Sequence, residues 1–101
     1  ITDNKRSPTF PTIATVAEQG LTGYEVVAWG GLVGPANLPP EIVKRLNAEV
    51  LQALKNPELI EKYKSFGAEI SPSTPEEFSE LSKRETAKWA EVIKRSGAKI
   101  D

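Results

Sequence analysis

The chain has 101 residues, and 13 Lys and Arg against 14 Asp and Glu leave a net charge of −1 with the two signs interleaved, which excludes a nucleic-acid footprint because that needs clustered positive charge to displace counterions from phosphates. With no Cys, no His and no Met, it offers no thiolate nucleophile, imidazole base, disulfide framework, or zinc or haem site of the usual ligand sets. The length bounds it to one domain or part of one, in which about two-thirds of the unfolded chain's surface can be buried.

In chain order, residues 1–11 are polar and punctuated by proline, and Arg6-Ser7-Pro8 forbids a regular helix there, so a connecting loop is expected. Thr15-Val16-Ala17-Glu18 fits a capping box, with Gly20 as a left-handed stop, which predicts a short helix between them. Tyr24-Glu25-Val26-Val27-Ala28-Trp29 is β-branched and aromatic, and Gly30-Gly31-Leu32-Val33-Gly34-Pro35 continues it with glycines inside. That predicts a strand with a bend or bulge at its middle. Val26 and Val27 are adjacent, so the pattern does not alternate cleanly, as suits a strand covered on both faces in an α/β sheet.

Residues 40–55 carry Ile42, Val43, Leu46, Val50 and Leu54 at helical spacing, predicting an amphipathic helix. Asn56-Pro57 is a cap followed by proline at the first helical position, and it launches a second helix whose stripe is Leu59, Ile60, Tyr63 and Phe66 before Gly67 ends it. Residues 68–71 are a short strand candidate. Thr74-Pro75-Glu76-Glu77 is a further capping box, opening a helix to about Ser96 that Gly97 stops, with Phe78, Leu81, Trp89, Val92 and Ile93 along one face. Residues 98–101 are a last extended candidate. The longest uncharged apolar-rich run, residues 26–38, holds three glycines and a proline and is shorter than the ~20 residues a membrane span needs, so the chain reads as soluble. No export leader can be read from it, and it starts at Ile1 in the manner of an excerpt from a longer protein.

Four stretches, in this order and spacing, carry a resemblance: Arg6-Ser7-Pro8 with Thr15-Val16-Ala17-Glu18-Gln19-Gly20, then Gly23-Tyr24-Glu25, then Trp29-Gly30-Gly31-Leu32-Val33-Gly34-Pro35-Ala36, then Glu85-Thr86-Ala87-Lys88-Trp89 with Gly97-Ala98-Lys99-Ile100. Together they resemble the C-terminal portion of the tripartite tricarboxylate transporter (TctC, or Bug) family of solute-binding proteins. The pattern departs from the family at Ala14, where a proline is usual, and at Asn37-Leu38, where Gly-Thr is usual; the second departure bears on the cap of the helix at Pro40. The resemblance implies an α/β fold of the type II periplasmic-binding-protein (Venus flytrap) kind, helix-rich with a few strands. Residues 1–23 would then close the second lobe and its crossover, and residues 24–101 would form the C-terminal half of the first lobe. It also implies a periplasmic receptor that captures a small organic acid, a di- or tricarboxylate or related anion, for membrane transporter subunits. Neither cofactor, metal nor catalytic residue is implied. The loops that do most of the ligand holding lie upstream in the family.

Trp29, Gly30 and Gly31 are the candidate ligand-binding residues, because glycines let backbone amides approach an anion and an indole can wall off a small ligand. The other reading is that Trp29 is core and the glycines make room for a neighbouring helix. Glu85 lies four residues before Trp89, on the apolar stripe, so its carboxylate must be paired or hydrogen-bonded; catalysis would need a partner group that the sequence does not supply. Tyr63 and Phe66 read as core, and Lys62 and Lys64 as a solvated face. The glycines do not form a phosphate loop. The rival function is a stand-alone helical protein-protein interaction domain, which, unlike a receptor portion, should not leave strand edges and apolar surface uncovered. Such uncovered edges also lead to the expectation that two copies of this chain pair as a homodimer.

Overall fold

The computed structural model describes residues 1–99, which fall into two units, Ile1–Val33 and a second that begins at Gly34. Residues 100 and 101, half of the extended candidate at 98–101, lie outside the described residues.

The second unit is built on three helices: α1 (Pro40–Ala53), α2 (Pro57–Ser65) and α3 (Pro75–Ser96). Each begins with proline, whose missing N–H costs nothing at a position where that donor has no intrahelical partner. The caps differ in strength. Pro39 precedes α1 without any side-chain cap bond. Asn56 caps α2 by accepting from the amides of Glu58 at 2.8 Å and Leu59 at 3.4 Å. Thr74 and Glu77 form a complete capping box, with Glu77 N–H donating to Thr74 Oγ1 at 3.1 Å and Thr74 N–H donating to Glu77 Oε2 at 2.8 Å. Gly97, at φ 68°, closes α3 in the left-handed region that residues with a Cβ avoid, and Lys94 and Arg95 face the negative end of the helix dipole. Asn37 stands at φ 64°, and Asn is among the few residues besides glycine that tolerate that conformation.

α1 packs on α3. The half-buried positions are Val43, Asn47, Val50 and Leu51 on α1, with Leu54 just past its end, and Pro75, Phe78, Leu81, Ser82, Glu85, Lys88 and Trp89 on α3. Asn47 Nδ2 donates to the Ser73 carbonyl at 3.0 Å, which ties α1 to the segment leading into α3. The covered face of α1 is therefore rotated from the expected stripe, leaving Ile42 and Leu46 exposed. On α3 the expected stripe is covered only up to Trp89, and Val92 and Ile93 are exposed. Tyr63 and Phe66, expected as core, are also exposed, Phe66 at 74%. No hydrophobic side chain among the described residues is fully buried.

The expected strands are a correction. Among the described residues none is in a strand: residues 24–35 and 68–71 run without a ladder. A strand's backbone groups are satisfied only by a neighbouring strand, and neither segment has one beside it. The α/β expectation thus holds here only in its helix-rich part.

The first unit carries no helix either. The predicted short helix after Thr15 is a single turn, in which Gln19 N–H donates to the Thr15 carbonyl at 3.3 Å, and Gly20 at φ 111° ends it at once. A helical nucleus this short returns too few hydrogen bonds for the dihedrals it fixes. The start of the chain is pinned instead: Val16 N–H donates to the Ile1 carbonyl at 2.9 Å and Val26 N–H to the Thr2 carbonyl at 2.8 Å.

Candidate functional site

The two units present three arrangements with chemical content. In the first unit, Arg6 grips Glu18: Nε lies 3.0 Å from both carboxylate oxygens, Nη2 lies 2.9 Å from Oε1, and Nη1 donates to the Pro11 carbonyl at 3.3 Å. The same carboxylate accepts from Thr15 N–H at 2.8 Å, while Glu18 N–H donates to Thr15 Oγ1 at 3.1 Å. Thr15 is 2% exposed, so its amide and hydroxyl have these partners in place of water. The guanidinium first, and then the Thr15 amide, hold the Glu18 carboxyl down at about 2, well below its ordinary 4.5. In return Glu18 raises the pKa of Arg6. The guanidinium and the carboxylate bind each other and the backbone around them, which makes the cluster a clasp for the loop.

In the second unit, the indole N–H of Trp89 donates to Glu85 Oε2 at 2.9 Å, Lys88 Nζ stands 3.7 Å from Glu85 Oε1, and the same ammonium lies 5.4 Å from the centroid of the Trp89 ring. The Glu85 side chain is 13% exposed. The sequence argument that a carboxylate on this stripe requires partners is met by the residues three and four positions on. With its oxygens engaged by an indole and an ammonium, the cluster fixes side-chain positions on α3.

The third arrangement holds the residues singled out from sequence. Trp29, Gly30 and Gly31 follow one another along the extended segment, all exposed, with Trp29 at 43%. A Cβ placed on Gly30 would meet nothing within 4 Å, so within this unit the glycine makes room for no helix. Trp29 is not enclosed as a core residue would be. Shallow depressions occur elsewhere, one on α1 lined by Glu41, Ile42, Arg45, Leu46 and Glu49, and one lined by Ala53, Asn56, Glu58, Leu59 and Lys62. Among the described residues no group of three His, Cys, Asp or Glu converges as a metal site would require. Nor is any helix among them long and apolar enough to cross a membrane.

The Arg6–Glu18 grip escaped sequence reasoning. Its partners are twelve residues apart on a loop, and no periodicity brings a loop position opposite another. The one available signal was that an Arg precedes, and a Glu follows, a proline-punctuated stretch.

Comparison with known proteins adds what the geometry leaves open. Residues 1–98 match the model of the tripartite tricarboxylate transporter family receptor. The chain is 37% identical over 94 residues to the UPF0065 protein in the tcbD-tcbE intergenic region of Pseudomonas sp. (strain P51), covering 92% of this chain and 28% of that protein. It is 29% identical over 100 residues to protein BugT of Bordetella pertussis, covering 99% of this chain and 31% of the relative. A UPF0065 protein in the TAR-I ttuE-ttuC' intergenic region of Agrobacterium vitis is 32% identical over 100 residues, covering 96% and 29%. The chain thus spans roughly three-tenths of the length of these relatives. No solved structure matches it.

Proposed function

The chain belongs to the tripartite tricarboxylate transporter receptor family, and from that premise we propose that it is the C-terminal portion of an extracytoplasmic receptor that binds a small organic acid. The receptor takes a di- or tricarboxylate or related anion from solution and presents it to membrane transporter subunits, which perform the energised step. It is a binding protein, without a catalytic step of its own. The observation that carries the reading is the family match over residues 1–98, nearly the whole chain.

In this reading residues 1–23 belong to the end of the second lobe and its crossover, and residues 24–101 to the first lobe. Trp29, Gly30 and Gly31 form one wall of the cleft. Open space over Gly30 lets a carboxylate approach the backbone amides, and the part-exposed indole of Trp29 beside it shields the ligand from water. The exposed apolar side chains of α1 and α3 favour a receptor portion over a self-sufficient interaction domain, which would have covered them.

The test is calorimetric titration of a full-length receptor carrying this stretch with citrate, succinate and glutamate. Saturable one-to-one binding to one of these, weakened at least tenfold by Trp29→Ala, is the expected result; a receptor that binds none of them overturns the assignment. The 101-residue chain by itself is expected to show no micromolar binding, because the rest of the cleft is not part of it.

A further inference from the structure

Residues 1–6 are bonded to two other stretches of the first unit. Both of their ends go to the stretch 14–18: the Ile1 nitrogen donates to the Ala14 carbonyl at 3.3 Å, Val16 N–H donates to the Ile1 carbonyl at 2.9 Å, and Arg6 holds Glu18. Their middle goes to residues 25 and 26. Val26 N–H donates to the Thr2 carbonyl at 2.8 Å, and Asn4 Nδ2 donates to Glu25 Oε1 at 3.4 Å. Val26 is half-buried, whereas residues 21–25 and 27–33 around it are exposed, so Val26 is where this segment is seated. Trp29 follows three residues later, and Val27 and Ala28 between them make no hydrogen bond among the described residues.

We propose that Arg6 is a positioning residue for ligand binding: by closing the far end of residues 1–6 on Glu18, it holds Thr2 and Asn4 against residues 25 and 26 and so sets where Trp29 and Gly30 stand. This rests on the reading above in which Trp29, Gly30 and Gly31 form one wall of the cleft. The closure needs a guanidinium. Nε and Nη2 meet the Glu18 carboxylate while Nη1 donates to the Pro11 carbonyl, and the compact ammonium of a lysine has no planar fork to serve these acceptors together. Exposed ion pairs are ordinarily worth little, but this one is bidentate, and Thr15 N–H fixes the carboxylate from a further direction. The reciprocal bonds between Thr15 and Glu18 use no atom of Arg6, so the turn after Thr15 keeps them when Arg6 is replaced. Loss of Arg6 therefore releases one end of residues 1–6 without dismantling that turn, and the slack passes to residues 25 and 26.

The experiment is ¹H–¹⁵N NMR of the chain and of its Arg6→Lys and Arg6→Gln variants. The chain has two tryptophans, one in each unit, so the indole signal of Trp29 reports on the segment and that of Trp89 is the control. In both variants the Trp29 signal should move and the Val26 amide should exchange at least fivefold faster. The Glu18 and Val16 amides, the Trp89 signal and the helical circular dichroism should stay as in the parent. An unmoved Trp29 signal would overturn the proposal, and so would an Arg6→Lys variant that matches the parent, since charge alone would then suffice. Protection lost at Glu18 together with Val26 would overturn it too, because Arg6 would then hold up the whole loop and not place one segment. In a full-length receptor carrying this stretch, Arg6→Lys should weaken binding of citrate, succinate or glutamate at least fivefold, and unaltered affinity beside a moved Trp29 signal would overturn the role in binding. Where none of the three binds and the Trp29 signal still moves, the receptor assignment falls and Arg6 remains the residue that places Trp29. Binding that Arg6→Lys leaves intact, with the Trp29 signal unmoved, does the reverse.

Discussion

Two capping boxes sit in this chain with matching geometry and opposite outcomes. Thr15 and Glu18 exchange hydrogen bonds of 2.8 and 3.1 Å, and Thr74 and Glu77 exchange bonds of 2.8 and 3.1 Å. The first opens a single turn; the second opens the 22 residues of α3. A box therefore sets where a helix starts and says nothing of its length. Length is decided by the next left-handed glycine, Gly20 in one case and Gly97 in the other, and by whether another element covers the helix face, as α1 covers α3. The first box serves a different end. Its glutamate also binds Arg6, so it locks a loop.

The largest effect should come from truncating the large half-buried aromatic on the helix that the second box opens. Trp89→Ala deletes a half-buried indole and its bond to Glu85; with only part of the ring covered, a loss of about 2 kcal/mol is expected, less than for a fully enclosed aromatic. Thermal unfolding followed at 222 nm measures it. An unchanged midpoint would show that the indole and its bond to Glu85 add nothing to the stability of α3.

Cap removal compares the boxes directly. Thr15→Ala strips a buried cap and leaves the Glu18 amide without its acceptor, at a cost of ~1.5 kcal/mol to the local fold, whereas Thr74→Ala removes an exposed cap whose amide can turn to water, at ~0.7 kcal/mol. Amide exchange at Glu18 and Glu77 reads both, and equal losses would mean that burial adds nothing to the first box.

Acid should tell the boxes apart in another way. The folded-state pKa of Glu18, about 2, lies below its ordinary 4.5, so its ionised form favours the clasp. That contribution is complete above pH 4.5, declines as pH falls below it, and is gone once pH passes through about 2. Carboxyl ¹³C shifts should place the Glu18 midpoint near 2, and Arg6→Gln should move it upward. A midpoint indifferent to Arg6 would remove the guanidinium as the main cause. The smallest effect belongs to Lys83→Ala on the exposed side of α3, where the 2.7 Å pair with Glu80 is worth less than about 0.5 kcal/mol. A larger loss in chemical denaturation would show that surface pairs, and not only the cap and α1, sustain this helix.

Much of the second unit could be read from residue order. Pro40, Asn56-Pro57, Thr74-Pro75, Gly67 and Gly97 mark the ends of α1, α2 and α3 to within a residue or two, because proline at N1, a side-chain cap and a left-handed glycine act over one helical turn. That Glu85 needs partners was legible from its place on the apolar stripe, and Lys88 and Trp89, within four residues of it, supply them. Which faces of α1 and α3 are covered was not, because Leu46 and Val50 have the same helical spacing and hydrophobicity, and only the placement of α3 leaves one exposed and the other half-buried. Residues 24–35 show the boundary most clearly. Their β-branched and aromatic composition marks a segment suited to a sheet, but a strand's hydrogen bonds all go to another segment, so its state depends on what stands beside it. The positions of Trp29, Gly30 and Gly31 in that segment were given by residue order, and their exposure was decided by the absence, among the described residues, of a strand alongside. The Arg6–Glu18 grip likewise required the folded loop, for only three-dimensional closure brings together charges twelve residues apart where no helix or strand repeats.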